Sequence, residues 1–255
     1  MTTIGFLYPG YAAEDDYPRI AELLGEGIAL PLVHTSVGED AHRVDALLDL
    51  GSADRLAEGR AAFGQVGVEA VVWACTSGSF VFGWAGAQEQ LDGMEQQYGV
   101  PATSTSFAFV NAAHAIGARR VAVVATYPQG VAEHFVQFLA AGGIEVLSLS
   151  TRGIITATEV GTLDREKVIE LAVGNDHPSA EAVLLPDTAL HTVAWLEDLE
   201  ARLGKPVLTA NQVSVWDGLR IAGHTQPCGG LGTLFRATRS VPAGAATVVL
   251  DKEDV

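Results

Sequence analysis

The feature that most constrains the fold is an apolar stretch that occurs twice. Glu69-Ala70-Val71-Val72-Trp73-Ala74-Cys75-Thr76-Ser77-Gly78 is the first copy, and Glu181-Ala182-Val183-Leu184-Leu185-Pro186-Asp187-Thr188-Ala189 repeats its order. In each, an acidic residue and an alanine lead into an apolar run that stops at a reactive side chain followed by threonine. A short, continuously apolar run without alternation is what a strand buried on both faces of a parallel sheet requires. Cys75 and Asp187 hold equivalent positions.

Two further matches keep the same order. Tyr8-Pro9-Gly10, after the apolar Ile4 to Tyr8, corresponds to Tyr127-Pro128-Gln129-Gly130 after Val121 to Ala125. Gly99-Val100-Pro101-Ala102-Thr103 follows Cys75 much as Gly204-Lys205-Pro206-Val207-Leu208-Thr209 follows Asp187. Three matches in one order point to duplication.

The remaining pattern alternates strand and helix. Strands are expected over Ile4–Tyr8, Ile28–Val33, Val68–Ala74, near Gly99–Pro101, Arg120–Ala125, Ile144–Leu149, Ala182–Leu185 and Pro206–Leu208. Helical spacing marks Pro18–Leu24, residues 39 to 65, Ser79 to Tyr98, Phe107–Ile116, Val131–Ala140, Asp164–Val173, Thr192–Leu203 and Ser214–Ala222. The hydroxyls of Thr103 to Ser106 are placed to cap the helix that follows them, and Gly223 fits the end of the last helix, which packs back on the first half. These 255 residues suit an α/β protein of two similar doubly wound parallel-sheet domains related by pseudo-twofold symmetry. The expected units are 1–105 with 210–240, then 106–209, with a tail at 241–255.

In open α/β sheets ligands lie beyond the carboxyl ends of the strands. Tyr8, Cys75, Tyr127 and Asp187 sit at such ends, and the pseudo-twofold axis would gather them around one cleft. Cys75 stands just before an expected helix, whose terminal N–H groups would depress its pKa below the usual ~8.5 and make it a base or nucleophile. The alternative is a buried, inert cysteine; the adjacent Thr76-Ser77-Gly78-Ser79, able to bind an oxyanion, favours the functional role. Asp187 reads equally as a general acid or base and as a helix cap. Tyr127 is suited either to donate to a carboxylate or to bury its ring with the hydroxyl in solvent, and the first is favoured. His191 reads as an exposed residue at a helix start, and Cys228 as a loop residue without a role.

Composition removes other classes. The net charge of −16, from 31 acids against 15 bases, leaves no basic footprint for nucleic acid. Arg119-Arg120 reads as a solvated strand entry. No apolar run reaches the ~18 residues of a membrane span, and Met1 to Gly5 leads directly into a strand without a signal-like segment, so a cytoplasmic location is expected. Two cysteines and seven histidines show neither zinc spacing nor a disulfide framework. The glycine-rich Cys228 to Gly232 is not a dinucleotide fingerprint, and no Walker loop occurs. A reaction without cofactor or metal follows as the expectation.

With these residues in view, the chain resembles the aspartate/glutamate racemase superfamily, and within it the branch of arylmalonate decarboxylase and maleate cis-trans isomerase. The resemblance spans nearly the whole chain. It is carried by Ala74-Cys75-Thr76-Ser77, by Gly117 to Tyr127, by Val215-Trp216-Asp217-Gly218-Leu219-Arg220-Ile221-Ala222-Gly223 and by Gly230-Leu231-Gly232-Thr233-Leu234-Phe235. It implies two α/β domains with the active site between them and no cofactor. It further implies that Thr76, Ser77 and Tyr127, with Thr188 at the place of Thr76 in the second copy, hold a substrate carboxylate. Racemases of the superfamily use one cysteine from each half, and this chain has only the first. Arylmalonate decarboxylases keep their single cysteine at the position of Asp187. Maleate isomerases have one at Cys75, which adds to the alkene carbon so that the C–C bond rotates.

The expected activity is therefore a cofactor-independent isomerisation of a small carboxylate or dicarboxylate, maleate-like, with Cys75 attacking or moving a proton and Asp187 as second acid or base. An arylmalonate-type decarboxylase or a racemase-like enzyme is the alternative. A non-catalytic carboxylate-binding protein is the third reading. Specificity is expected to rest on the loops Gly10 to Tyr17 and Arg152 to Gly161, and a homo-oligomer is allowed.

Overall fold

The computed structural model describes residues 1–224 and 226–236. The expected tail at 241–255 and the end of the segment 210–240 lie outside them. In chain order the first half contains β1 (Thr2–Pro9), α1 (Asp16–Leu24), β2 (Ile28–Ala29), β3 (Leu32–Thr35), α2 (Val44–Leu50), α3 (Ala53–Leu56), α4 (Arg60–Val66), β4 (Ala70–Trp73), α5 (Ser77–Phe80), α6 (Gly83–Tyr98), β5 (Ala102–Ser104) and α7 (Thr105–Ala115). The second contains β6 (Arg120–Ala125), α8 (Gln129–Ala141), β7 (Glu145–Thr151), α9 (Ala157–Val160), α10 (Arg165–Gly174), β8 (Ala182–Leu185), a 3₁₀ turn at Val193–Trp195, α11 (Leu196–Leu203), β9 (Val207–Thr209), α12 (Ala210–Ile221) and α13 (Gly232–Arg236).

Two all-parallel sheets result. In the first, β1 pairs with β2 and β3 on one side and with β4 on the other, and β4 pairs with β5. In the second the order is β7-β6-β8-β9. Matching β1 to β6, β2 and β3 to β7, β4 to β8, and β5 to β9 gives the same order twice, so the repeat in sequence is a repeat in topology. The expected fold class is the one observed. Val71, Val72 and Trp73, like Val183 and Leu184, are fully buried, which is why their runs show no alternation.

Local chemistry explains where elements depart from expectation. The second strand is split because Leu30-Pro31 interrupts it: Pro31 has no N–H to give, although its carbonyl still accepts from the Phe6 N–H at 2.9 Å. The helical region 39 to 65 becomes three short helices interrupted at Gly51-Ser52 and near Gly59. The expected helix at Thr192 opens as the 3₁₀ turn and becomes α-helical at Leu196. As anticipated, a hydroxyl caps α7: Ser104 Oγ accepts from the Phe107 N–H at 3.5 Å.

Helix α12 packs back on β1, β4 and β5 and against α7, its counterpart after β5. The approach is close, since a Cβ on Gly218 would lie 2.8 Å from the side chains of Ile4 and Val72. Gly223 follows the last helical turn with φ +80°, a left-handed conformation that glycine adopts without strain. One apolar core joins residues from both sheets, including Phe6, Trp73, Val123 and Leu184. The carboxyl ends of β1, β4 and β8 therefore meet across a fixed boundary. No helix of the described residues is long and apolar enough to cross a membrane.

Candidate active site

A cavity of about 340 Å³ opens where those strand ends converge. Its wall takes Tyr8 to Ala12 at and beyond the end of β1, Val37 to His42 before α2, Leu47 and Leu50 on α2, Cys75 and Ser77 after β4, Ala157 and Thr158 on α9, and Asp187 to Ala189 after β8. Both halves contribute, and so do both loops expected to set specificity. Of the six residues singled out in the sequence, Cys75, Ser77, Asp187 and Thr188 line the cavity. Thr76 and Tyr127 are packed behind it, and Thr76 Oγ1 is a buried hydroxyl without a hydrogen-bond partner among the described residues.

Cys75 is 4% exposed, and its Sγ accepts the Gly78 N–H at 3.3 Å. The anticipated N–H bond is present, but its consequence is not. Burial pushes the thiol up to about 11; the Gly78 N–H and Ser77 pull it down, and the Asp187 charge raises it again. Removing a thiolate from water costs more than one peptide N–H returns, so the side chain is a neutral thiol near pH 7. Gly78 also leaves room for it: a Cβ there would lie 3.1 Å from Sγ and 3.2 Å from the Trp73 ring.

Asp187 is held by the second half. Its Oδ2 accepts the Thr126 hydroxyl and its Oδ1 the Ala189 N–H at 2.9 Å. That backbone bond closes a local turn, so Asp187 is not the cap of a following helix. Two tyrosines fix the peptide units on either side. Tyr127 Oη donates to the Pro186 carbonyl at 2.7 Å, and Tyr8 Oη donates to the Thr188 carbonyl at 2.9 Å. They are the matching residues of the two repeats. The Tyr127 phenol is pushed well up by burial, with the Asp187 charge adding to it, which keeps it a donor.

The Thr188 carbonyl also accepts from Asn211 Nδ2 at 3.1 Å, and Asn211 Nδ2 donates to Asp16 as well, at 3.0 Å. Asp16 receives the Thr192 and Val193 N–H groups too, so a buried carboxylate on α1 ties the first half to the segment after Asp187. Burial pushes it up to about 6, against those hydrogen bonds. His191 pairs with Asp15 at 2.8 Å on the same boundary. Cys228 donates to the Leu23 carbonyl at 3.2 Å, remote from the cavity.

Comparison with known proteins agrees with this arrangement. The family model of arylmalonate decarboxylase matches residues 48–235. The chain belongs to the arylmalonate decarboxylase family. A curated member from Bordetella bronchiseptica is 29% identical over 232 residues, covering 87% of this chain and 90% of its own. A maleate isomerase from Geobacillus stearothermophilus is 27% identical over 121 residues, 47% of this chain and 48% of its own. Among solved structures, a liganded double mutant of arylmalonate decarboxylase, with a glycine-to-cysteine and a cysteine-to-serine replacement, superposes with a TM-score of 0.79 at 26% identity, over 92% of this chain and 99% of that one. The branch that the sequence resembles is thus the one to which it is similar.

Several site residues escaped the sequence reading. Thr126 lies unremarked within Gly117 to Tyr127, although a hydroxyl closing an apolar run one residue before Tyr127 is a usable signal. Asp16 and Asn211 meet across almost the whole chain, and His42 lies in a loop with no motif around it. Only the tertiary structure brings these together.

Proposed function

We propose that the chain is a cofactor-independent enzyme acting at the carbon next to a carboxylate, and that its reaction is decarboxylation of a malonate bearing an apolar substituent. The observation that carries this is Cys75: a buried thiol facing the same cavity as Asp187, beside the apolar wall of Val37, Leu47 and Leu50. Loss of carbon dioxide leaves the electron pair of the broken C–C bond in an enediolate. The Cys75 S–H protonates the carbon, and the thiolate regains a proton from water. A thiol held neutral suits a proton donor.

The retained carboxylate would accept from Ser77 and Thr188 at the cavity wall, with Thr76 and Tyr127 behind them. Asp187 would stand as the second acid or base. Its charge also favours a step that turns a dianion into a monoanion. The same proposal keeps 1–105 with 210–240 and 106–209 as the two domains, in a cytoplasmic setting.

A second reading, isomerisation of a maleate-type substrate, is favoured by a specific observation: a cysteine stands at the end of β4, in the cavity, where addition to an alkene needs it. That route requires the thiolate. Proton NMR in deuterated water separates the two. Phenylmalonate converted to monodeuterated phenylacetate supports the decarboxylase; a fumarate signal growing from maleate supports the isomerase. Thermal stabilisation by these acids without turnover of either would overturn both in favour of a binding protein.

A further inference from the structure

No lysine or arginine is among the residues lining the cavity, whereas Glu39, Asp40 and Asp187 are. A chain with 31 acids and 15 bases adds nothing favourable at long range for an anionic ligand. One lining side chain can carry a positive charge, and it is His42.

His42 is 8% exposed and fixed on three sides. Its backbone N–H donates to the Ile155 carbonyl at 2.6 Å, and its ring Nδ1 lies 2.9 Å from the Ile154 carbonyl. A carbonyl only accepts, so Nδ1 carries a hydrogen. Its ring meets the Tyr127 ring edge-on, with centroids 4.9 Å apart. Beside it, Asp40 accepts the Ala157 and Thr158 N–H groups and the Thr158 hydroxyl, so the loop before α2 clasps Ile154 to Thr158, the entry and first turn of α9. Nε2, by contrast, has no partner among the described residues and is not sealed from solvent.

With Nδ1–H committed to a carbonyl, Nε2 is the atom left to meet a ligand, and when protonated it is a charge-assisted donor. The titratable and charged groups around this ring are the carboxylates of Glu39 and Asp40 on its own loop, Arg43 next to it in sequence but paired with Glu39 and Asp45, Tyr127 just after β6, and Asp187 on the same cavity wall. For Asp40, burial pushes the carboxyl up, but hydrogen bonds from Thr158 and Ala157 and the charge of His42 bring it below the usual range. Asp40 is already occupied by three donors and leaves Nε2 free.

We propose that His42 is a specificity-determining residue that recognises the carboxylate of the substrate through Nε2–H. This rests on the carboxylate reading of the cavity given above, and it does not depend on which reaction follows. When protonated, it adds the positive charge that the hydroxyls of Ser77 and Thr188 cannot.

Two replacements separate this role from the clasp. In His42→Asn the amide nitrogen takes the place of Nδ1 and keeps the bond to Ile154 while Nε2 is lost. In His42→Gln the amide nitrogen reaches the place of Nε2 without charge. Calorimetric titration with phenylacetate, and with the neutral phenylacetamide, reads the outcome. Loss of a charge-assisted bond should weaken phenylacetate by roughly tenfold or more in His42→Asn, by less in His42→Gln, and leave phenylacetamide unchanged in both. In the wild type, the NMR titration midpoint of the His42 ring should rise when phenylacetate is bound. Equal weakening of both ligands, or unchanged phenylacetate binding in His42→Asn, would overturn the proposal while the carboxylate reading stands. Failure of the wild type to bind phenylacetate, maleate and succinate would overturn both.

Discussion

Alkylation of Cys75 is the sharpest consequence of its surroundings. An ordinary cysteine titrates near ~8.5, whereas burial holds Cys75 at about 11. Each unit is tenfold in thiolate population, so at pH 7.5 the reactive form should be about 300-fold scarcer than in a free thiol. In a Cys228→Ser protein, where one thiol remains, the rate with iodoacetamide should climb tenfold per pH unit to near pH 11 without levelling. Asp187→Asn removes one of the charges that hold the thiol up, and should move the bend to lower pH. The same shift fixes a sign for stability. The folded protein keeps the proton that the unfolded chain loses, so what this thiol contributes is present below about pH 9 and lost as pH rises to about 11, by up to ~3 kcal/mol. A plateau at or below pH 8.5 would refute the reasoning, for it would mean that the Gly78 N–H outweighs burial.

Two further outcomes test the supports of the site. Thr126→Val removes the hydroxyl from Asp187 Oδ2 and should lower stability by about 1–3 kcal/mol in urea denaturation, while Thr126→Ser retains most of it. Gly51→Ala would place a Cβ 2.1 Å from the Gly78 carbonyl and 2.6 Å from Gln90 Nε2; the turn that feeds an N–H to Cys75 must then move, lowering stability by about 3 kcal/mol and altering the alkylation rate although Gly51 is outside the cavity.

The architecture was legible because duplicated buried strands carry their signal in consecutive residues. Val71 to Trp73 and Val183 to Leu185 need no partner in view to be recognised, and their shared endings led to Cys75 and Asp187. What depended on long-range contacts was not legible. The acidity of Cys75 was misjudged because the local N–H donor is visible in sequence and the burying shell, from both halves, is not. Thr126 and Asp187 meet across 61 residues, and His42 meets Ile154 across 112. The single strand expected over Ile28–Val33 breaks at Leu30-Pro31, where proline's missing N–H is a signal present in the sequence, and the helical region 39 to 65 divides at Gly51-Ser52 and near Gly59, also local signals that its overall helical spacing masked.

The central claim is that the sulfur of Cys75 does the chemistry. Cys75→Ala removes Sγ without adding bulk, so fold and ligand binding should persist, as read by thermal unfolding and phenylacetate titration. Turnover of phenylmalonate and of maleate, followed by proton NMR in deuterated water, should fall at least about 100-fold, the scale of a lost proton donor. Unimpaired turnover of either acid by a folded Cys75→Ala protein would contradict the account.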